Sequence, residues 1–325
     1  AGVVAGTVAV VALLAASITS FYSVRAVREE RSRAERQLVD ADLRMGDLLA
    51  RAGNRFEALD RYREALTTAG RARGPGLLSA FVRTSALEAE LGDAPAALET
   101  DRRFLQLAEK TPGAEADVAL GHERAGRLLG SRAGIAELRQ AVELYRQLPA
   151  GRAGLAQALS GLAQALSDTG QTTEAIARYR ESIALIDTPE TEAGLAATLM
   201  RAGQTAQARA AAEKALDRAQ AAASRPDASE ADLRRATRLL LEAPFPELKN
   251  PVLAQRYALE AVAVTKDNDP LTLDLLAQTY AASGGHVAWA VATEQKALAV
   301  LPAGHPALRA RLQRNLETYA RGIGH

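Results

Sequence analysis

The chain has no cysteine. Disulfides, thiol nucleophiles and thiolate metal sites are excluded, and nothing follows about compartment. Aromatic residues make up only 4% of its 325 residues, although 48% are hydrophobic. A core built mainly from Ala, Leu and Val suits closely packed helices better than a large sheet, which draws on aromatic and β-branched side chains. Neither sign of charge dominates, since 40 basic residues face 39 acidic ones. Without a long-range positive field, no nucleic-acid partner is expected. The histidines, at 122, 286, 305 and 325, show no HExxH spacing, so no metal is assigned. Missing as well are the GxGxxG and P-loop phosphate loops, the HRD and DFG pair, and the GxSxG elbow. No catalytic residue and no cofactor are expected.

What is present begins with an apolar run. Residues 1–24 carry no ionisable side chain, end in Phe21 and Tyr22, and are followed by Arg25, Arg28, Arg31, Arg33 and Arg36. A bilayer core needs about 20 apolar residues in a helix. The sharp edge predicts a transmembrane helix over residues 1–24, with the lipid bilayer as its partner. A cleaved signal peptide would need a basic stretch ahead of the apolar run, and a buried helix is the other alternative. The GxxxG pair Gly2 and Gly6 would permit close helix approach and a homodimer. Residues 25–37 read as a juxtamembrane helix.

The rest of the chain repeats itself. In MGDLLARAGNRFEALDRYREAL, Gly53 marks a turn, Ala58 a tight inter-helix contact, and Tyr62 with Ala65 the packed face of a second helix. Second-helix alanines then fall at 58, 97, 136, 175, 208, 254 and 290, scattered about the tetratricopeptide period of roughly 34 residues. The copy at 133–148 is degenerate and needs a gap. The expected fold is all-α: a tetratricopeptide-type right-handed helical solenoid preceded by a single transmembrane helix. Repeats 1–5 occupy residues 38–223. A linker and repeats 6–7 occupy 224–302, with breaks at AAASRPDASEADL and at Pro244, Pro246 and Pro251. Residues 303–325 form a capping helix with Leu308, Leu312 and Leu316 at four-residue spacing.

In this register the concave face carries Gln157, Ser160, Gln164, Ser167 and Asp168 from the fourth unit, Arg201 from the fifth, and Asp274 with Gln278 from the seventh. Amides and hydroxyls can bind extended peptide backbone, and Arg201 can meet a carboxylate. A protein or peptide in this groove is the expected partner; ordinary hydration of a solenoid surface is the alternative.

The tract AGVVAGTVAVVALLAASITSFYSVRAVREERSRAERQ, followed by RFEALDRYREAL and ending in NDPLTLDLLAQTYAASG, resembles the membrane and C-terminal region of bacterial transmembrane serine/threonine protein kinases with tetratricopeptide repeats. The resemblance implies the noncatalytic part of such a kinase: a single-pass protein of the bacterial inner membrane whose repeats recruit or sense partners. The face of the membrane that the repeats occupy stays open. No ATP-binding or catalytic residue can be carried over, because no kinase motif is present. The alternative is a stand-alone membrane scaffold for envelope assembly, transport or secretion.

Overall fold

A run of helix formers free of proline gives α1 (Gly2–Arg51), which pairs with α2 (Arg55–Ala72). The pattern repeats in α3 (Leu77–Glu90) with α4 (Ala94–Ala108), α5 (Glu115–Leu129) with α6 (Ser131–Gln147), and α7 (Arg152–Asp168) with α8 (Thr172–Leu185). It continues in α9 (Pro189–Arg201) with α10 (Thr205–Ala223), α11 (Glu230–Glu242) with α12 (Pro251–Val264), and α13 (Pro270–Ala282) with α14 (Val287–Val300). A final α15 (Pro306–Gly322) covers the seventh pair, burying Leu308 and Leu312. This computed structural model describes the backbone of residues 2–72, 76–284 and 286–322; within it, the side chains of 2–20, 22–24, 28, 71, 72 and 131 are outside the description. Helices pack chiefly on their neighbours in sequence, as repeat units of a solenoid do.

One turn chemistry builds most pairs. At the α9–α10 turn, the Gly203 N–H donates to Met200 O (3.0 Å) and the Gln204 N–H to Leu199 O (2.9 Å). Gly203 has φ +74°, the left-handed conformation this closure requires. The same two bonds recur around Gly53, Gly92 and Gly170. Five residues after each glycine stands a fully buried alanine: 58, 97, 175 and 208. The third unit departs from this because its turn is shorter: Gly130 alone links α5 to α6. The point of closest approach slides to Gly134, where a Cβ would run into the Gly126 carbonyl, and Ala136 is exposed. That is the physical origin of the gap in the repeat.

Between units the filler is tyrosine. Tyr179 on α8 lies against Gly194 on α9, where a Cβ would come within 2.5 Å of the phenol oxygen. The hydroxyl itself donates to Gln164 Oε1 at 2.9 Å. The proline-rich break resolves into two devices. Residues 246–248 form a short 3-10 turn, and Pro251 starts α12 beneath the Asn250 cap, whose Oδ1 accepts from Leu253 N at 3.0 Å. At the earlier joint, Ser229 and Asp232 form a capping box that starts α11.

The solenoid returns on itself. The first two units meet the last ones through a hydrophobic cluster containing Leu59 and Leu91 together with Val262, Leu271 and Leu308. Phe56 meets His305 edge to face, with ring centroids 4.6 Å apart. At the seam lies Arg55, only 4% exposed. It bonds Glu90 of α3 at 2.8 Å and Glu230 of α11 at 2.7 Å, and it faces Asp269, the cap of α13, at 2.9 Å. Arg234 of α11 crosses the same seam to Glu90 at 2.7 Å. Burial alone would lower the Arg55 guanidinium, but the three carboxylates raise it above its ordinary value. Burial raises Asp269 against the pull of Arg55, whereas in Glu90 the two arginines outweigh burial and hold the carboxyl low.

The transmembrane helix expected over residues 1–24 is corrected. Among the described residues no helix is long and apolar enough to cross a membrane. The run is not a separate element either, since α1 continues without a break from Gly2 to Arg51. Its described stretch is solvated by charge, with Arg25–Glu29 and Arg31–Glu35 pairs at 3.0 Å. The lipid partner expected for this run rests on side chains that lie outside the description. The Gly2 and Gly6 side of the helix lies outside the described side chains.

Candidate functional site

The first helices of successive units, α5, α7, α9, α11 and α13, line the inner face, joined by α15. Four cavities follow one another along it. The first, about 370 Å³, lies among Arg127, Gln157, Ser160, Glu190 and Arg235. It shares Arg127, Ser160 and Glu190 with a second of about 260 Å³ reaching Gln164 and Asp168. Gln164 and Glu190 also border a third of about 300 Å³, walled mostly by small apolar side chains such as Ala193, Ala197 and Ala212. Arg238 and Glu242 belong to both this alcove and a polar fourth of about 400 Å³ beside Arg234, Asp274, Gln278 and Arg311. Shared walls string these four along one inner channel face.

Its charges are mostly spent within the protein. Glu190 pairs with Arg235, Arg127 with Glu123 at 2.9 Å, Arg234 with Glu90, and Arg311 with Asp274 at 3.0 Å. Arg238 and Glu242 differ: both are exposed, and neither has an ion-pair or hydrogen-bond partner among the described residues. They stand four residues apart on one face of α11, at the mouth of the alanine-walled alcove. A cation and an anion free to accept a ligand, beside a small apolar chamber, suit an extended peptide with one apolar side chain and polar flanks.

The residues expected in the groove distribute unevenly. Gln157, Ser160, Gln164, Asp168, Asp274 and Gln278 line the channel. Four of them also bond within the scaffold. Gln164 accepts from Tyr179 and donates to Asp168 at 2.9 Å, and buried Asp274 accepts from Asn315 at 2.8 Å and from Gln278 at 3.2 Å. Ser167 turns away into the α7–α9 contact, with its hydroxyl 2.7 Å from that of Thr198. Arg201 caps the same contact, donating to Ser167 O at 2.8 Å and lying 3.6 Å from Asp168. Sequence reasoning missed Arg127, Glu190, Arg235, Arg238 and Glu242. The last two could have been found from the i, i+4 spacing on α11 had the sixth unit's first helix been phased from Leu233, Ala236 and Leu240, which are buried.

Beneath the polar end of the channel lies Glu294 of α14, completely buried, with neither carboxylate oxygen hydrogen-bonded. Burial, reinforced by Asp274, raises its pKa to about 8. Among the described residues no group of three or more His, Asp or Glu is placed to hold a metal ion.

No protein-family model matches the chain, and no curated protein matches it. Solved structures do. A Rap protein complexed with competence and sporulation factor is similar over 88% of this chain and 76% of its own, at 13% identity and a TM-score of 0.52. PilW, a widely conserved type IV pilus biogenesis factor, overlaps 70% of this chain and 93% of its own, at 18% identity and a TM-score of 0.44. A thermophilic TPR protein of Thermus thermophilus overlaps 69% and 99%, at 21% identity and a TM-score of 0.38. At these identities what is shared is the fold. The glycine turns, buried second-helix alanines and stacked helix pairs make that fold a tetratricopeptide-type solenoid.

Proposed function

We propose that the channel binds an extended segment of a protein partner, anchored by an apolar side chain in the alanine-walled alcove and by polar groups at Arg238 and Glu242. The carrying observation is that these two side chains alone, among the charged residues of the alcove's rim, have no partner in the described structure while facing a cavity of about 300 Å³. The Rap protein of similar fold was solved complexed with competence and sporulation factor, a supporting precedent for this architecture carrying a ligand. A random peptide library displayed on phage and selected on the immobilised chain provides the test. Selected peptides should lose about tenfold or more in affinity for Arg238→Glu and for Ala197→Trp, which fills the alcove. Binders indifferent to both substitutions would place the site elsewhere.

The narrower placement, as the noncatalytic C-terminal part of a bacterial serine/threonine kinase, rests on the resemblance of the repeat sequences. Reading the genomic sequence upstream of Ala1 tests it. A Gly-rich loop followed by HRD and DFG supports the placement, and another open reading frame's end removes it.

A further inference from the structure

Half of the large exposed apolar residues described in this chain lie on one helix. On α1, Val27, Leu38, Met45 and Leu48 are 63%, 52%, 48% and 60% exposed. With exposed Ala34 and Ala41 they are spaced by seven, four, three, four and three residues, the alternation of a coiled-coil seam. At 3.6 residues per turn the six fall within about 80° of arc. Val39, Leu43 and Gly46, which pack into the solenoid, lie on a different face. The stripe is about 32 Å long at 1.5 Å per residue, and its first half projects beyond the packed core, which α1 joins only at Val39. No neighbouring helix of the described chain runs alongside that half. Among the described residues, no helix covers the full seam.

We propose that α1 docks antiparallel on α1 of a second copy of this chain, over residues 27–48. Charge selects the occupant and its direction. Beside the stripe, α1 and α2 enclose an open groove of about 580 Å³ bordered by Asp42, Met45, Glu57, Asp60, Arg61 and Glu64, in which Arg61 pairs with Glu64 at 2.8 Å and leaves the carboxylates in excess. Glu57 and Asp60 are exposed without a partner among the described residues, and burial together with Glu64 raises the Asp42 carboxyl in the same groove. The projecting half of α1 carries Arg25, Arg28, Arg31, Arg33 and Arg36 against Glu29, Glu30 and Glu35, an excess of two positive charges, with Arg25 and Arg31 paired to Glu29 and Glu35. Antiparallel docking lays that basic half of each copy across the acidic groove of the other, whereas parallel docking would bring the two basic halves together.

Register follows from the side chains. Setting Ala34 opposite the partner's Leu38 places Val27 opposite the partner's Met45 and Arg31 opposite the partner's Ala41, so each large residue meets a smaller one. Glu30 then flanks the partner's Arg44, and the reverse. Glu35 nears its own copy across the two-fold axis, but each is already held by its Arg31 at 3.0 Å.

The absence of cysteine makes the test clean. Two full-length single-cysteine variants, Ala34→Cys and Leu38→Cys, are oxidised separately and mixed. Antiparallel docking predicts cross-linked dimer at least about tenfold more abundant in the mixture than in either variant alone. Cross-linking within each variant alone would establish a parallel seam and overturn the orientation. No cross-link in any arm, with sedimentation showing monomer only, would overturn the dimer. As an independent arm, Glu30→Arg should weaken self-association about tenfold, equivalent to about 1.4 kcal/mol, and Arg44→Glu added to it should restore the affinity. Both substitutions lie at exposed sites, so loss of folding does not mimic the result; a double variant no better than Glu30→Arg would refute the register.

Discussion

Replacing Arg55 with Met tests whether the ion cluster at the seam holds the solenoid closed. The substitution keeps much of the aliphatic volume and removes the guanidinium that sits 2.8 Å from Glu90, 2.7 Å from Glu230 and 2.9 Å from Asp269. Glu90 and Glu230 retain Arg234, at 2.7 Å and 3.3 Å. Asp269 retains only its capping bond from Thr272 N and is left as a buried, unpaired charge. Removing one member of a buried pair commonly costs about 3–5 kcal/mol, most of it from the charge left behind. Adding Asp269→Asn removes that charge while keeping a competent helix cap, so the double variant should regain roughly 1–3 kcal/mol, the usual coupling between contacting residues. Urea denaturation measures the stability, and small-angle X-ray scattering at zero urea measures whether the native particle has expanded. If Arg55→Met loses less than about 0.5 kcal/mol and scatters like the parent, the cluster does not hold the ends together.

Other consequences are equally direct. Glu294 titrates near 8 in the folded protein against an ordinary 4.5, so the folded chain keeps a proton that the unfolded chain releases. Its stabilising contribution is full below about 4.5 and is lost as pH rises to about 8, at up to roughly 1.4 kcal/mol per unit; Glu294→Gln should flatten that slope, and an unchanged slope would assign it to another group. His305 is pulled down by burial and then by Arg63, so the neutral ring is the form that packs on Phe56. Acidification through the ordinary histidine range should therefore loosen the closure, read as weaker NMR contacts between the two rings; unchanged contacts at pH 5 would exclude this. Ala175→Trp, at a fully buried inter-helix contact, should cost about 1–3 kcal/mol or more by overpacking. Gln164→Ala should cost about 1 kcal/mol, because the Tyr179 hydroxyl loses its acceptor. The reverse ranking in denaturation would show the fourth unit to be phased differently.

The repeat was legible because its turns are local. A glycine held at positive φ and an alanine five residues later are visible in one dimension, and Ala58, Ala97, Ala175, Ala208, Ala254 and Ala290 are all fully buried. The third unit was misphased at Ala136 because its one-residue turn, against three residues in the other glycine-turned pairs, moves the contact to a residue with no side chain at all. The groove was partly legible: Gln157, Ser160 and Gln278 line it as the helix phase implies. Ser167 does not, since it sits one residue round the helix and bonds Thr198 instead. Closure left no local mark. Arg55 belongs to the first unit and Glu230 and Asp269 to the sixth and seventh, and each reads in sequence as an ordinary solvated charge at a helix end. The apolar run at 1–24 reads as a spanning helix in one dimension, whereas among the described residues no helix is long and apolar enough to cross a membrane.

Closure of the chain on itself brings its first and last units together around the channel. Spin labels on Glu57→Cys and Ala303→Cys, both exposed positions beside the Phe56–His305 contact, measure this in the otherwise cysteine-free chain. Pulsed dipolar spectroscopy on magnetically dilute double-labelled protein, mixed with excess unlabelled chain, should give one narrow distribution at the short end of the method's range. An open array of seven helix pairs would separate the labels by roughly 50 Å or more, at about 10 Å per packed layer, and a broad or long distribution of that kind would contradict the closed solenoid.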